Sequence, residues 1–563
     1  MPETTRPPVT EAIGAGIEEP ADRDGAFPRL DDGQRAMLRA AGTTREVASG
    51  DVLFREGDPC YDFFVVESGA IAIVQGYGHN NRVVAIHGPH RFLGELNLLT
   101  GSPPYLTAVV RDPGEVTQVS VKHLREIVES DQDLSNTILR AYLARRAILI
   151  ESGAGVQLVG SRFSPDAQRL REFLARNRMP YHWMDLEEDD EADELLRALA
   201  IEPAETPVIV GAGGVLRNPS NGEVAAMLGL GARGSPPALC DVVIVGGGPA
   251  GLAAAVYGAS EGLDTQAIDG IALGGQASTS ARIENYLGFP TGISGSELAE
   301  RAQLQARRFG ARLVVPAEAV ALAQDDGHFA ITLADGTTVN GRTIIVATGA
   351  QYNKLDVPGY LQCEGAGCIY YAATLTEGLA CARDPVVVVG GGNSAGQAAM
   401  FLSRHAASVR LLIRGDDVAK SMSRYLIKEI DQREQIEVLT TTKIAALHGD
   451  HGLDSITVED VGTGVQRDLE AKALFVFIGA SPHTEWLRGH VAMDEHCFVL
   501  TGRDVADEDL SGFNGERPYL LETSQAGIFA VGDVHAGSIK RVASAVGEGS
   551  MAIQLIHQRL AVL

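Results

Sequence analysis

Two glycine-rich turns, Gly246-Gly247-Gly248-Pro249-Ala250-Gly251 and Gly390-Gly391-Gly392-Asn393-Ser394-Ala395, constrain this chain more than any other feature. Each follows an apolar run, Val242-Val243-Ile244-Val245 in the first case and Val386-Val387-Val388-Val389 in the second. Each opens into small residues suited to a helix, over 252–259 and 396–402. Strand, glycine turn and helix in that order form a dinucleotide-binding pattern. Glycine permits the tight turn, lets the backbone approach a pyrophosphate, and lets helix pack closely on strand. The helix N-terminus then offers unpaired N–H groups and a positive dipole end to the phosphates. Two such turns predict two nucleotide cofactors in one chain, with hydride passing between them.

The 563 residues allow about three or four domains, each with its own core. A formal charge of −26 argues against nucleic acid, which needs clustered Lys and Arg. The one basic cluster, Arg140, Arg145 and Arg146, reads as a solvated helix face rather than a DNA or membrane patch. Residues 1–27, rich in Pro, Gly and acids without an apolar core, read as a disordered tail and not a signal peptide. Glycines and a proline break the apolar stretch 242–259, so no membrane span is expected. Cys60, Cys240, Cys363, Cys368, Cys381 and Cys497 show neither C-x-x-C nor metal-ligand spacing. A reduced, cytoplasmic protein without a metal is expected.

From residue 240 the motifs follow a fixed order. The strand Thr265-Gln266-Ala267-Ile268 ends at Asp269, eighteen residues beyond Gly251, where an acid can accept from a ribose hydroxyl. Then come Gly274-Gly275-Gln276, Ile283-Glu284-Asn285-Tyr286, Ala347-Thr348-Gly349, the second glycine turn, Phe475-Val476-Phe477-Ile478-Gly479, and Gly527-Ile528-Phe529-Ala530-Val531-Gly532-Asp533. This succession resembles the thioredoxin reductase family over residues 238–563. The resemblance implies FAD at the first fingerprint (Gly246, Gly248, Pro249, Ala250, Gly251) and NAD(P)H at the second (Gly390, Gly392, Asn393, Ser394, Ala395, Gly479). It implies an FAD domain in two parts, 238–354 and 482–563, with a nicotinamide domain at 355–481 between them. Gly275, Gln276 and Asn285 would lie beside the isoalloxazine, with Thr348 and Gly349 in the same site. Asn285 also reads as a plain turn residue before Gly288 and Pro290. Asp533 would bond the ribityl chain or phosphate, and Lys540-Arg541-Val542 would start a helix whose N–H groups steady charge at the reduced flavin. A homodimer is implied as well.

After the second fingerprint the strand Val409-Arg410-Leu411-Leu412-Ile413 ends at Arg414, with no acid for an NAD-type ribose. An arginine there favours a 2′-phosphate, so NADPH is expected over NADH, with Arg424 or Lys420 as a second cation. The family's redox dithiol, C-A-T-C, aligns with Tyr371-Ala372-Ala373-Thr374, so Tyr371 and Thr374 occupy the cysteine positions. Neither side chain relays two electrons. Cys363 and Cys368, separated by four residues, read either as a displaced redox pair or as unpaired buried thiols. Tyr370 and Tyr371 read either as a cover for the flavin face or as core aromatics.

Residues 28–150 show short apolar runs broken by glycine, predicting a small β-barrel or jelly roll closed by helices. Leu93-Gly94-Glu95-Leu96-Asn97-Leu98-Leu99 resembles the phosphate cassette of cyclic-nucleotide-binding domains, making Gly94 and Glu95 a ligand-site candidate. That family's phosphate-binding arginine is replaced by Pro104 or Tyr105, which removes the charge-assisted donor. Residues 156–232 read as a βαβ unit resembling glutaredoxins and thioredoxins. Ser164-Pro165-Asp166-Ala167 stands at the C-P-x-C position and Thr206-Pro207 at the cis-proline strand, suggesting a docking or spacing module.

The fold expected is multidomain: a cyclic-nucleotide-binding-like barrel, an α/β thioredoxin-like domain and two α/β Rossmann-like dinucleotide-binding domains. The function expected is electron transfer from NADPH through FAD to an unidentified small-molecule or protein acceptor. Two alternatives stay open: a disulfide reductase using displaced or partner thiols, and a non-catalytic flavin-containing sensor.

Overall fold

The computed structural model describes residues 17–562 apart from 24, 59, 78–80, 95–97, 99–102, 153–154, 212–213, 231–238, 281–282, 284, 326, 372, 374–377, 379–380, 450–451 and 514. Glu95 and Thr374 lie outside the described residues.

The N-terminal unit is a pair of antiparallel sheets. One orders Thr43–Val47, Gly114–Val119 and Phe63–Val66; the other orders Val52–Phe54, Thr107–Asp112, Ala70–Gln75 and Arg82–His87. The helices Val121–Ser130 and Gln132–Glu151 follow. Rings of Phe63, Phe92 and Tyr142 bind the second helix to the sheets, with centroids 5.4 and 5.9 Å apart. Two expectations are corrected here. Residues 17–27 are not a free tail: Ala26 and Phe27 are buried, and Glu19 pairs with Arg29 at 2.6 Å. Arg145 and Arg146 are not a solvated face either, since both are buried. Arg145 donates to the carbonyls of Ala26, Phe92 and Gly94 at 2.7, 3.1 and 2.8 Å, because those buried oxygens need donors.

The next unit has the order strand, helix, strand, helix, strand, strand, helix. Val156–Gly160 and Tyr181–Asp185 run parallel around the helix Pro165–Arg176. Val208–Gly211 and Gly214–Arg217 then extend the sheet antiparallel on the other side of Val156–Gly160. The Thr206–Pro207 bond is cis. The acidic run does not simply precede the next helix; Asp190, Glu191 and Asp193 form its first turn, where the helix dipole favours them.

The glycine turns belong to two separate sheets, the first mixed, with its two strands over 319–333 antiparallel, and the second parallel. The first orders Arg312–Val314, Thr265–Ile268, Cys240–Val245, Thr338–Val346, His328–Leu333 and Ala319–Asp325, with Ile528–Ala530 pairing parallel to Thr338–Val346. The second orders Ile369–Tyr370, Ala473–Val476, Pro385–Val389, Ser408–Leu412 and Ile436–Leu439, all parallel. The chain leaves the first sheet after Val346, builds the second, and returns at Ile528. The short antiparallel ladder of Ala350–Tyr352 with Ala480–Pro482 joins the two. The C-terminal helix Val542–Leu560 packs on Pro249–Ser260, so the two helices flanking the first turn share one core. Among the described residues no helix is long and apolar enough to cross a membrane.

Candidate active site

The first turn is shaped by contacts that only glycine tolerates. Gly246 has φ +110°, and a Cβ there would lie 2.2 Å from the Ala347 carbonyl oxygen. A Cβ on Gly251 would lie 1.9 Å from the Gly246 oxygen. Gly248 precedes the helix Pro249–Ser260 without a side-chain cap, leaving its first N–H groups open. Asp269 holds the turn: one carboxylate oxygen accepts from Gly247 N–H at 2.8 Å, the other from Ile271 and Ala272 N–H at 2.9 and 3.0 Å. A carboxylate has about four acceptor sites, which leaves room for one ribose hydroxyl.

Around this turn the structure gathers several of the expected residues. Gly274 N–H donates to the Gly247 oxygen at 2.6 Å, and a Cβ on Gly275 would come 2.9 Å from Gly248 Cα. Gln276 Nε2 donates to the Ala350 oxygen at 2.5 Å. Thr348, next to Ala347, donates its hydroxyl to the His483 oxygen at 2.9 Å, and Gly349 follows with φ +68°. A Cβ on Gly532 would meet Ala250 Cβ at 3.1 Å and Ala545 Cβ at 3.7 Å, so the Gly532-Asp533 turn lies between the two helices. The helix Val542–Leu560 starts where expected, with Arg541 at its cap position and no side-chain cap. Lys540 reaches the Asp533 carbonyl oxygen at 3.4 Å. Asn285 is exposed and makes no hydrogen bond to a described residue.

Two open helix N-termini and a partly buried carboxylate therefore converge. The Asp533 carboxylate has no hydrogen bond from a described residue, and burial holds its carboxyl above the usual range, against the pull of Lys540. These residues fit a dinucleotide: N–H donors for its phosphates and an unsatisfied acceptor for its hydroxyls.

Sequence reasoning missed His535 and Glu548. His535 Nε2 faces Glu548 Oε2 at 3.1 Å and its Nδ1 faces the Ala536 oxygen at 2.8 Å. Glu548 also accepts from Gly532 N–H at 2.6 Å. Both ring nitrogens meet acceptors, which favours the imidazolium. Burial pulls the His535 pKa down, but the Glu548 bond and charge prevail and the net shift is upward. The thirteen-residue spacing across a loop and a helix gave no periodic signal.

In the second turn a Cβ on Gly390 would lie 2.3 Å from the Phe477 oxygen, and Gly479 has φ +96°. Gly392 caps the helix Asn393–Leu402 with no side-chain bond and no atom within 4 Å of an added Cβ. Asn393 Oδ1 accepts from Ser423 N–H at 2.8 Å, while Ser394 and buried Ala395 continue the first turn. Arg414 and Arg424 are exposed and unpaired among the described residues. Lys420 instead pairs with Asp416 at 2.7 Å.

At the expected dithiol position, Tyr371 stacks on Tyr352 with centroids 5.3 Å apart and planes 12° apart. Its hydroxyl bonds that of Tyr360 and donates to Glu364 at 3.3 Å. Burial and then the Tyr360 contact push the phenol pKa far up. Tyr352 belongs to the connecting ladder, and burial and the charge of Asp533 raise its pKa. Tyr370 has a different place, stacked on Phe475 at 4.9 Å in the core of the second sheet. Cys363 and Cys368 are buried together beneath Tyr360, and Cys368 donates to the Cys363 oxygen at 3.0 Å. Burial and the neighbouring sulfur push the Cys363 thiol up to about 11, so at neutral pH it is no nucleophile. A native thiol titration therefore consumes exposed Cys60 first and half-buried Cys497 next, with the four buried cysteines reacting only on unfolding. Fast reaction of Cys363 or Cys368 would restore the displaced-pair reading.

In the N-terminal unit, Gly94 has φ +108°, and a Cβ there would press 2.6 Å from the Tyr142 hydroxyl. Tyr105, one of the two residues expected at the missing arginine's position, is buried. It donates to Met179 Sδ at 3.1 Å and accepts from Arg146 at 3.2 Å.

Comparison with known proteins agrees with this arrangement. Residues 240–549 match the pyridine nucleotide-disulphide oxidoreductase family. The chain belongs to that family. Residues 44–131 match the cyclic nucleotide-binding domain, which places such a domain at the N-terminal end. A thioredoxin reductase of Mycolicibacterium smegmatis is 34% identical over 312 residues, 55% of this chain and 94% of the relative. One from Treponema pallidum is 35% identical over 314 residues, 55% of this chain and 94% of the relative. The solved thioredoxin reductase of Streptococcus pyogenes aligns over 58% of this chain and 99% of its own, at 27% identity and a TM-score of 0.49. The C-terminal part of this family member is thus a thioredoxin-reductase-like oxidoreductase.

Proposed function

We propose that this oxidoreductase takes hydride from NADPH at FAD and passes electrons to an acceptor other than an internal dithiol. The observation that carries this reading is the Tyr371–Tyr352 stack at the dithiol position, with the nearest cysteine pair buried and the Cys363 thiol pushed up to about 11. FAD, when bound, supplies a ring that takes two electrons as hydride and releases them in pairs or singly. The N–H groups of Ala250 and Gly251, in the turn that Pro249 opens, and of Val542 would hold phosphate and ring charge, and Asp533 would accept from a hydroxyl. Arg414 and Arg424 take the 2′-phosphate, and Tyr352 with Tyr371 excludes water from the site. The acceptor class is a quinone, oxygen or a one-electron protein.

We also assign residues 156–232 a thioredoxin-like fold and a docking or spacing role. Its strand order supports the fold, and Ser164 caps a helix through Ala167 N–H where a redox cysteine would stand. We also propose a homodimer through the flavoprotein part, in the cytoplasm.

Anaerobic stopped-flow mixing with NADPH and with NADH tests this reading at the flavin band. Fast bleaching by NADPH is expected. Arg414→Ala raises the NADPH requirement about tenfold, the loss of one charge-assisted phosphate contact, and leaves NADH within about twofold. Failure of either nucleotide to bleach bound FAD would overturn the proposal in favour of a sensor.

A further inference from the structure

A cavity of about 260 Å³ lies where the three parts of the chain meet. Arg146 enters it from the N-terminal unit, Arg176 and Arg178 from the thioredoxin-like unit, and Arg307 from the helix Gly295–Arg308 of the flavoprotein. Glu300 is the one acid in its described lining. Four guanidinium groups thus face one carboxylate.

The charges do not satisfy one another. Arg178 approaches Glu300 at 3.2 Å, yet neither Glu300 oxygen makes a hydrogen bond. Burial raises the Glu300 carboxyl pKa despite Arg178 and Arg146, which weakens it as a counter-ion. The Arg307 side chain is half-buried, its Nε wholly so, and its guanidinium makes no hydrogen bond or ion pair with any described residue; burial lowers its pKa. The Nε of Arg176 is buried and unbonded as well, while its Nη1 lies 3.6 Å from Glu172. A buried guanidinium N–H without an acceptor is costly, and a ligand oxygen at this cavity would complete it. We propose that this junction binds a phosphate-class oxyanion, completing Arg307 and Arg178 between the N-terminal units and the flavoprotein.

Size and chemistry select that ligand class. The volume falls below the usual range for sites that enclose drug-sized molecules, but holds a tetrahedral anion with a few waters at about 30 Å³ each. Guanidinium forks suit phosphate oxygens, whereas the lining hydroxyls of Ser278 and Thr279 already donate to the Gly275 and Gln276 carbonyls at 2.8 Å. The site also has something to connect. Tyr105 of the cassette segment bonds Arg146, and Ser278 and Thr279 lie just beyond Gln276. Asn177 adds a bond to the Ile271 oxygen at 2.9 Å, beside Asp269. An anion here therefore links the N-terminal domain to the backbone around the first dinucleotide turn.

Thermal melts of the FAD-loaded full chain test the proposal, comparing inorganic phosphate with chloride at equal ionic strength. Wild type should show a saturable rise of about 5 °C at a hundredfold excess over Kd. Arg307→Met should lose that rise, remain at least as stable as wild type without phosphate, and keep its reduction by NADPH. Any phosphate bound near Arg414 persists in this variant, so the difference isolates the junction. Arg178→Gln, read by calorimetric titration with phosphate, serves if the first variant does not fold, and should lose one site per chain. Glycerol 3-phosphate separates sources: binding of phosphate alone assigns a free oxyanion, and binding of both a phosphomonoester, each supporting the proposal. An equal rise in wild type and Arg307→Met, or none in wild type, overturns it.

Discussion

Gly251→Ala should yield a protein that purifies without flavin. The added methyl would sit 1.9 Å from the Gly246 carbonyl oxygen and 3.0 Å from its carbon, with Ile244 Cγ2 at 3.3 Å. The first obstacle is backbone, so no side-chain rotation relieves it. The turn must open, and overpacking of this kind costs about 1–3 kcal/mol or more. Opening the turn also displaces Gly247, whose N–H binds Asp269, and Gly248, which starts the helix Pro249–Ser260. The Kd for FAD should rise at least about tenfold, the effect of losing roughly 1.4 kcal/mol of binding, and the flavin-to-protein absorbance ratio after purification should fall with it. Gly392→Ala is the matched control. Its Cβ would meet no atom within 4 Å at φ −90°, so the protein should keep its flavin and lose only NADPH affinity. Equal flavin content in wild type and Gly251→Ala would contradict the assignment of the first turn.

The largest stability effect should come from the C-terminal helix. Arg559 binds fully buried Glu522 through two parallel bonds of 2.8 Å, Nε to Oε1 and Nη2 to Oε2. Glu522 also accepts from Gly527 and Tyr519 N–H at 2.9 and 3.0 Å, and Arg559 lies over the Tyr519 ring at 4.8 Å. Arg559→Met leaves a buried carboxylate with its main counter-charge gone, a change worth about 3–5 kcal/mol. At about 2–4 °C per kcal/mol for a domain of this size, melting should fall by about 10 °C. Arg559→Met with Glu522→Leu should recover part of that loss, because no charge is then stranded. Because Arg559 lies on the same helix that begins at Val542, the single variant should also release flavin more readily. A single variant that melts with wild type would show that the pair is not a closure of the flavoprotein core.

The sequence disclosed most where a residue type has no substitute. Gly246, Gly251 and Gly390 are fixed by backbone contacts, and the apolar runs before them could only be buried parallel strands. What stayed hidden depends on partners distant along the chain. Arg145 and Arg146 resemble a solvated face by spacing, yet the carbonyls that bury Arg145 come from 26, 92 and 94. Tyr105 signalled a lost arginine but not its contact with Met179, seventy-four residues away. The Tyr352–Tyr371 stack needs the fold of the connecting ladder, and neither tyrosine has a neighbouring motif that names the other. Composition identified residues 17–27 as polar but could not register the tilted contact of Phe27 with His87, centroids 5.7 Å apart.

The central claim is that electrons reach the flavin and go no further within the chain. Anaerobic titration of the FAD-loaded protein with NADPH, counting equivalents to full bleaching, tests it directly. One hydride equivalent per flavin is predicted, because no disulfide is available to take a second pair. Two equivalents per flavin, with two new titratable thiols appearing, would show reduction of an internal disulfide and contradict the account.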